Sequence, residues 1–349
     1  MVVGGGQAGL AIGYHLAQQQ RRFTILEAAD SSAAAWRERW DSLALFTPVR
    51  YNSLPGLAFP GEADAYPGRD EVVAYLTDYV RRFELPVELN SRVRNVSPDD
   101  RRGYRVEVDE NRAYEADQVV IATGPFQVPR IPPVAANLDP GVVQFHSTEY
   151  RSPRQIAVGP VLVVGGGNTG YQIAEELARD REVHLSIGSR QTPLPQRILG
   201  RDLFTYLEAL RLMRVTAASR LGRRLQDRET LIGSHPRAAR RRHGIHLHER
   251  TVSVQGRGVS FADGAKVEPS AVIWATGFAL DHSLVTAPVF DRTGRVVHRR
   301  GVTNAPGLYF LGLPWQHTRG SALLGWVKDD AAFIAEQIAE RARAPAGVV

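Results

Sequence analysis

Val2-Val3-Gly4-Gly5-Gly6-Gln7-Ala8-Gly9 lies at the start of the chain, and half a chain later Val161-Leu162-Val163-Val164-Gly165-Gly166-Gly167-Asn168-Thr169-Gly170 repeats the same pattern. Each stretch is a β-branched apolar run, then G-x-G-x-x-G, then an apolar-periodic segment with the spacing of a helix. The pattern has a mechanical cause. The first glycine turns the chain, the second lets main chain approach a pyrophosphate, and the third lets helix and strand pack closely. The pyrophosphate then rests on the positive end of the helix. One such match is generic. Two, each in strand–turn–helix context, predict an α/β protein with two Rossmann-like dinucleotide-binding domains.

Working outward, Gln7 to Gln19 reads as helix and Phe23 to Leu26 as a strand ending in Glu27. Glu27 stands twenty-three positions after Gly4, where such a unit places the acid that holds the adenosine ribose hydroxyls. In the second unit the matching position is Gly188, followed by Ser189 and Arg190. A carboxylate would repel a 2′-phosphate there, whereas a hydroxyl and a guanidinium can bond it. The second site is therefore assigned to NADPH over NADH.

Further on, Asp70 to Phe83 has helical periodicity, and Val87 to Val96, Tyr104 to Val108 and Gln118 to Ile121 read as strands. The last of these runs into Ala122-Thr123-Gly124. Seven prolines between 125 and 160 mark an irregular connection. Residues 203 to 232 read as an amphipathic helical cover on the second domain, and Thr251 to Val267 as a hairpin turning near Gly256 and again at Asp263-Gly264. Ala271 to Trp274 is a strand leading to Ala275-Thr276-Gly277, an echo of 122–124 that suggests chain crossovers between the domains. Leu308 to Leu311 is a last strand, and Ala322 to Arg341 a final helix. The expected division is 1–127 for the first part of one domain, 128–159 for a linker, 160–270 for the second domain and 271–349 for the returning part of the first.

Composition narrows the chemistry. The 349 residues, 43% of them hydrophobic and 23% charged, suffice for two cores of ordinary globular make-up. There is no cysteine, which excludes disulfides, thiolate metal sites and redox cysteine pairs. His246 and His248 share one face of a strand, but two imidazoles are too few for most metal sites, and no metal is expected. The net charge of +6 is carried almost wholly by arginine, since Lys266 and Lys328 are the only lysines. The run Arg237 to Arg242 reads as a solvated loop, and without aromatic interleaving it does not predict nucleic-acid binding. No eighteen-residue apolar span or charged-then-apolar leader is visible, so a soluble cytoplasmic protein with no membrane partner is expected.

An ordered set of motifs adds to this reading: Trp36-Arg37 with Trp40-Asp41-Ser42-Leu43, Leu45-Phe46-Thr47-Pro48, His146 to Arg151, Trp274 to Phe278, and Gly307 to Gly320 containing Leu313-Pro314-Trp315-Gln316-His317. Together with the two glycine turns, these make the chain resemble the class B flavin-dependent monooxygenases, and among them the short bacterial CzcO-like flavoproteins. The resemblance implies FAD on Gly4, Gly6, Gln7, Ala8, Gly9 and Glu27, and NADPH on Gly165, Gly167, Asn168, Thr169 and Gly170 with Ser189 and Arg190. It also implies that Trp36 and Arg37 lie near the ribityl and phosphate, Thr47 near the flavin ring, and Gln316 and His317 on the loop reaching that ring. Ala122, Thr123, Gly124, Gly277 and Gly312 join the cofactor-binding set. The implied reaction is insertion of one atom of O2 into a soft nucleophilic small molecule through a flavin C4a-(hydro)peroxide. No catalytic side chain is singled out, and assembly is open between monomer and homodimer.

The chain departs from that pattern in four places. Tyr150 replaces a tryptophan in the linker fingerprint, and Arg151 follows where ketone-oxygenating relatives carry Pro or Asp. Pro48 stands where many relatives have an asparagine beside the flavin, and Ala33-Ala34-Ala35 replaces a glycine-rich approach to Trp36. The first strand has only Met1 to Val3 before its glycine, although it should be central in its sheet. Two alternatives follow: an NADPH-driven flavin reductase or oxidase passing electrons onward, and a non-catalytic dinucleotide-binding module.

Overall fold

In the computed structural model, which describes residues 1–99, 103–109, 111–226 and 229–343, the two glycine turns sit on two separate sheets. The first sheet has seven strands in the order His298–Arg299, Val302–Thr303, Leu308–Phe310, Val119–Ile121, Val2–Val3, Ile25–Leu26, Val87–Glu88. Val2–Val3 is central as expected, pairing in parallel with Ile25–Leu26 on one side and with Val120 and Ile121 on the other. The strand is only two residues long, yet both residues are buried. Burial on both faces explains why it reads as an unbroken apolar run without alternation.

The helix Gln7–Gln18 packs between this sheet and the C-terminal helix Val327–Arg343. Leu10, Ala11 and Ile12 meet Ala331, Ile334 and Ala335 in one buried cluster, and Gln19 Nε2 donates to Ala335 O at 3.2 Å. That helix begins at Val327, five residues later than expected, because 322–326 form consecutive turns. A third helix, Arg69–Arg82, buries Val72, Tyr75, Leu76 and Tyr79 in the same core.

The second sheet has five parallel strands in the order His246–His248, Val183–Ser186, Val161–Val164, Ala271–Trp274, Val143–His146. This corrects two expected boundaries. Ala271–Trp274 pairs with Val161–Val164 and Val143–His146 pairs with Ala271–Trp274, so both strands belong to the second unit. Only 271–274 and 143–146 move to the second unit, since a proline-rich approach does not prevent a short edge strand from pairing; from 298 to 310 the chain lies in the first sheet. The two crossovers between the sheets pair with each other, Phe278 opposite Pro129 and Ala279 opposite Val128.

Two other expectations change. The 203–232 region is not one helix: Leu203–Ala209 and Arg220–Gln226 are helical, and Glu229–Ile232 pairs in parallel with Gln191–Leu194, with 227 and 228 outside the described residues. The arginine run is helical, Pro236–His243, started by Pro236 after His235, whose ring Nδ1 accepts Arg237 N, and stopped at Gly244 with φ +67°. The segment 251–267 does turn near Gly256 and at Asp263-Gly264, giving a three-stranded meander of Thr251–Gln255, Gly258–Phe261 and Lys266–Val267. Among the described residues, no helix is long and apolar enough to cross a membrane.

Candidate functional site: two dinucleotide cradles

At the first turn, Gly4 has φ +107°, and a Cβ there would lie 2.6 Å from Ala122 O. A Cβ on Gly9 would stand 1.9 Å from Gly4 O, so the helix can approach the turn only with glycine at this position. Gly6 is different: nothing lies within 4 Å of its Cβ direction, and it precedes a helix with no side-chain cap. The first-turn amides of Gln7–Gln18 are thus left for an anion. Glu27 sits against the middle of the turn, where its Oε2 accepts Gly5 N at 2.7 Å and its Oε1 accepts Ala29 N at 2.9 Å. These two bonds fix the carboxylate at the strand end.

The second turn has the same construction. Gly165 has φ +128° with its Cβ direction 2.1 Å from Ala275 O, and the Gly170 Cβ direction ends 1.9 Å from Gly165 O. The Ala-Thr-Gly echo therefore has a physical basis, since Ala122 and Ala275 supply the carbonyl that closes over each first glycine. Gly124 and Gly277, at φ +73° and +80°, then steer both chains out of their sheets. Gly167 caps Asn168–Leu177 without a side-chain bond. Ser189 and Arg190 are exposed beyond the strand end, next to Gly188, whose carbonyl accepts Arg250 Nη2 at 2.8 Å.

Side chains join the parts. Gln7 donates from Nε2 to Ala322 O at 2.9 Å and accepts Trp36 Nε1 at 3.2 Å, tying the first turn to the C-terminal loop and to the helix Ala34–Arg37. Arg37 is exposed beside it. Gly312 packs on the helix Gln7–Gln18, its Cβ direction 3.0 Å from the buried Ala8. Thr47 is buried and donates to Asn52 Oδ1 at 2.6 Å, while Asn52 Nδ2 donates to Thr47 O and Pro48 O. Every polar atom of Asn52 is thus used in shaping the loop. Gln316 is buried too, accepting Leu313 N at 3.3 Å and reaching Arg300 O at 3.4 Å, so its amide shapes the C-terminal loop from within. His317 is half-buried, with its N on Ser321 Oγ and its O accepting Ala217 N. Burial and then Arg300 lower the His317 pKa, which favours the neutral ring.

Asn168 and Thr123 also bond within the protein. Asn168 Oδ1 accepts Ile232 N at 2.9 Å, pinning Glu229–Ile232 over the second turn, and Thr123 Oγ1 accepts Gln127 Nε2 at 2.7 Å. Thr169 lies half-buried on the first turn of its helix. His146 braces the second crossover: its Nε2 is 3.2 Å from Gly277 O, its Nδ1 is 3.0 Å from Thr148 Oγ1, and its ring meets Phe278 edge-on. Tyr150, in the place of a tryptophan, is fully buried and donates to Glu176 Oε2 at 2.8 Å.

Two residues were not read from the sequence, and a third feature was read only in part. Gln191 Nε2 is buried without a hydrogen-bond partner and lies against the second turn, 2.2 Å from the Cβ direction of Gly166. Arg250 orders Gly188 from a distant loop. The segment 203–226, expected to cover the second domain, rests across both units, with Leu203, Phe204 and Met213 packing on Phe46, Tyr51 and Trp326. None of these has a local motif. The histidines 246 and 248 join His184, and among the described residues no group of three or more His, Cys, Asp or Glu is arranged to hold a metal.

Known proteins share this arrangement. Residues 1–202 match the pyridine nucleotide-disulphide oxidoreductase family. The chain is 44% identical to the CzcO-like oxidoreductase of Geobacillus kaustophilus over 97% of both chains, and 38% identical to CzcO of Bacillus subtilis over 97% of this chain and 98% of the other. It superposes on the flavin-containing monooxygenase from Stenotrophomonas maltophilia with a TM-score of 0.81 and 30% identity, covering 98% of each. The glycine cradles, the uncapped helix ends and the fixed carboxylate suit FAD and a pyridine nucleotide. The chain thus belongs to the pyridine nucleotide-disulphide oxidoreductase family as a flavin-dependent oxidoreductase of the class B monooxygenase type.

Proposed function

We propose that this protein is a single-component monooxygenase that binds FAD at the first turn and NADPH at the second, and inserts one oxygen atom into a soft nucleophilic small molecule. The observation that carries this reading is likeness to a flavin-containing monooxygenase along the whole of both chains, in a sequence without a cysteine. Lack of cysteine removes the disulfide chemistry from which the family takes its name.

Bound flavin supplies the hydride acceptor and the oxygen chemistry; the chain supplies position, charge and dryness. Glu27, already held by two main-chain amides, suits the ribose hydroxyls of FAD. Arg190 and Ser189 suit a 2′-phosphate, and the unpartnered Gln191 amide offers a donor to a group lying on Gly166. The main-chain amides of His317 and Thr318 are held by Ser321 Oγ, and those of Ser321, Leu323, Trp326 and Val327 by nearby carbonyls, so the C-terminal loop offers the flavin a fixed surface. The 203–226 cover limits water over that loop.

The test is rapid mixing of FAD-loaded protein, reduced with NADPH under anaerobic conditions, with oxygenated buffer. An oxygenated-flavin absorbance that persists for seconds and lasts longer with NADP⁺ is the expected result. Direct return to oxidised flavin with peroxide release would replace this reading with an NADPH-driven reductase or oxidase. Protein that does not retain FAD would point to a non-catalytic module.

A further inference from the structure

A cleft of about 660 Å³ opens between the 203–226 cover and the start of the C-terminal helix. This is a volume suited to a small organic ligand. One wall is His317 and Thr318, on the loop already argued to serve the flavin, so the inference rests on that reading. The apolar side is Tyr51 stacked on Trp326, with ring centroids 5.8 Å apart and planes 21° from parallel, backed by Phe204 at 5.6 Å from Trp326.

Of the four cations lining the cleft, Arg50 and Arg300 are held in ion pairs, whereas Arg214 and Lys328 are in none among the described residues. Glu208 is engaged by Trp326 Nε1 at 2.6 Å, and the buried Asp330 is engaged by Arg300 Nε at 2.8 Å. Asp329 remains, set against Arg50, Arg214 and Lys328. Arg50 bonds outward to Asp64 at 2.6 Å, which leaves Arg214 and Lys328 as the cations of the rim. Lys328 is one of only two lysines in the chain. Its long stem can lie along apolar surface while the ammonium reaches an anion.

The geometry points to this cleft as the substrate site, and to a substrate with a flat apolar body and a carboxylate. The body lies along Tyr51 and Trp326, the carboxylate meets Arg214 and Lys328, and the oxidisable atom is left toward His317. The cover therefore selects substrate from the outside, while the loop beneath it belongs to the cofactor side.

(Phenylthio)acetate joins an aromatic ring, a thioether and a carboxylate, and (phenylthio)acetamide is its neutral match. Binding of both to FAD-loaded protein is measured by calorimetry, in the native chain and in Arg214→Ala, Lys328→Gln and Lys328→Arg. The acid should bind at least tenfold more tightly than the amide. Each neutralising change should weaken the acid by roughly tenfold, the scale of one hydrogen bond to a charged group, and leave the amide unmoved. Lys328→Arg should restore most of the affinity. Flavin content reports whether each variant is intact, and Lys328→Arg provides a second route if Arg214→Ala does not fold.

Sulfoxide formation is followed in parallel. Acid binding that depends on Arg214 and Lys328 without any sulfoxide would uphold the site and overturn the oxygenase reading. Equal binding of acid and amide, or sulfoxide formation with the same KM in all variants, would overturn the site and leave the oxygenase reading standing.

Discussion

The two glycine turns are built alike up to the end of the second strand of each unit, and there they part. Both press the first glycine under an alanine carbonyl and the last under the first, with the same 1.9 Å approach. At the first, Gly5 faces the Glu27 carboxylate and donates its amide hydrogen bond to Oε2. At the second, Gly166 faces Ile187 and the unpartnered Gln191 Nε2, and the strand runs out into Gly188, Ser189 and Arg190. One end is an acceptor and the other carries donors. Under the proposed assignment, the shared part serves what two dinucleotides have in common, and the differing part what distinguishes them.

The shared part can be broken one unit at a time. Gly9→Val places carbon where Gly4 O already sits, and overpacking of this kind costs about 1–3 kcal/mol before any cofactor is lost. We expect the variant to be purified without FAD and to melt at lower temperature. Gly170→Val should leave FAD in place and abolish NADPH-driven flavin reduction. Loss of both cofactors in either variant would mean that the units do not act separately.

The differing part gives a smaller and more selective effect. Glu27→Gln should weaken FAD by roughly tenfold, since hydrogen bonds to a charged group carry about 1.5–3 kcal/mol. Arg190→Ala should raise the KM for NADPH by a similar factor and leave that for NADH unchanged. Equal effects on both coenzymes would remove Arg190 from the 2′-phosphate site.

The smallest effect concerns the strand that leads to Arg190. His184 Nδ1 lies 2.9 Å from His248 Nε2, and its Nε2 lies 3.1 Å from Glu182. His246 and Asp263 flank the pair, and His248 stacks on Phe261. Burial, then the neighbouring imidazoles, lowers the His184 pKa from 6.5, and burial lowers that of His248. The folded state then binds fewer protons than the unfolded one, so stability is full above the unfolded value and is lost as pH falls through the folded one. Urea midpoints should therefore drop between about pH 7 and 5. The drop should be shallower in His248→Gln, and an unchanged slope would clear this pair.

Much of this was legible because glycine turns encode main-chain geometry. Gly4, Gly9, Gly165, Gly170 and Glu27 occupy the positions their spacing required, and the burial of Val2–Val3 and Val161–Val164 follows from their composition. What was missed depends on contacts distant in sequence. Thr230 and Ile232 read as helix until Asn168 and the strand Gln191–Leu194 claim their main chain. Ala271–Trp274 looks like a return to the first unit until its partners on both sides prove to be strands of the second. Gln316 bonds inward to main chain, and its residue type carries no sign of which way an amide will turn.

The pairing of the two crossovers has an architectural consequence. Since Phe278 lies opposite Pro129, the chain leaves the first unit and comes back to it at points only about 5 Å apart. The whole second unit is therefore an excursion with adjoining ends, the arrangement under which one domain can be carried inside another without opening its host. Seen this way, the seven-stranded sheet is a continuous host interrupted at a single seam. The second unit, proposed to hold the nicotinamide coenzyme, is then a cassette set into that seam, and the first unit keeps its register without it.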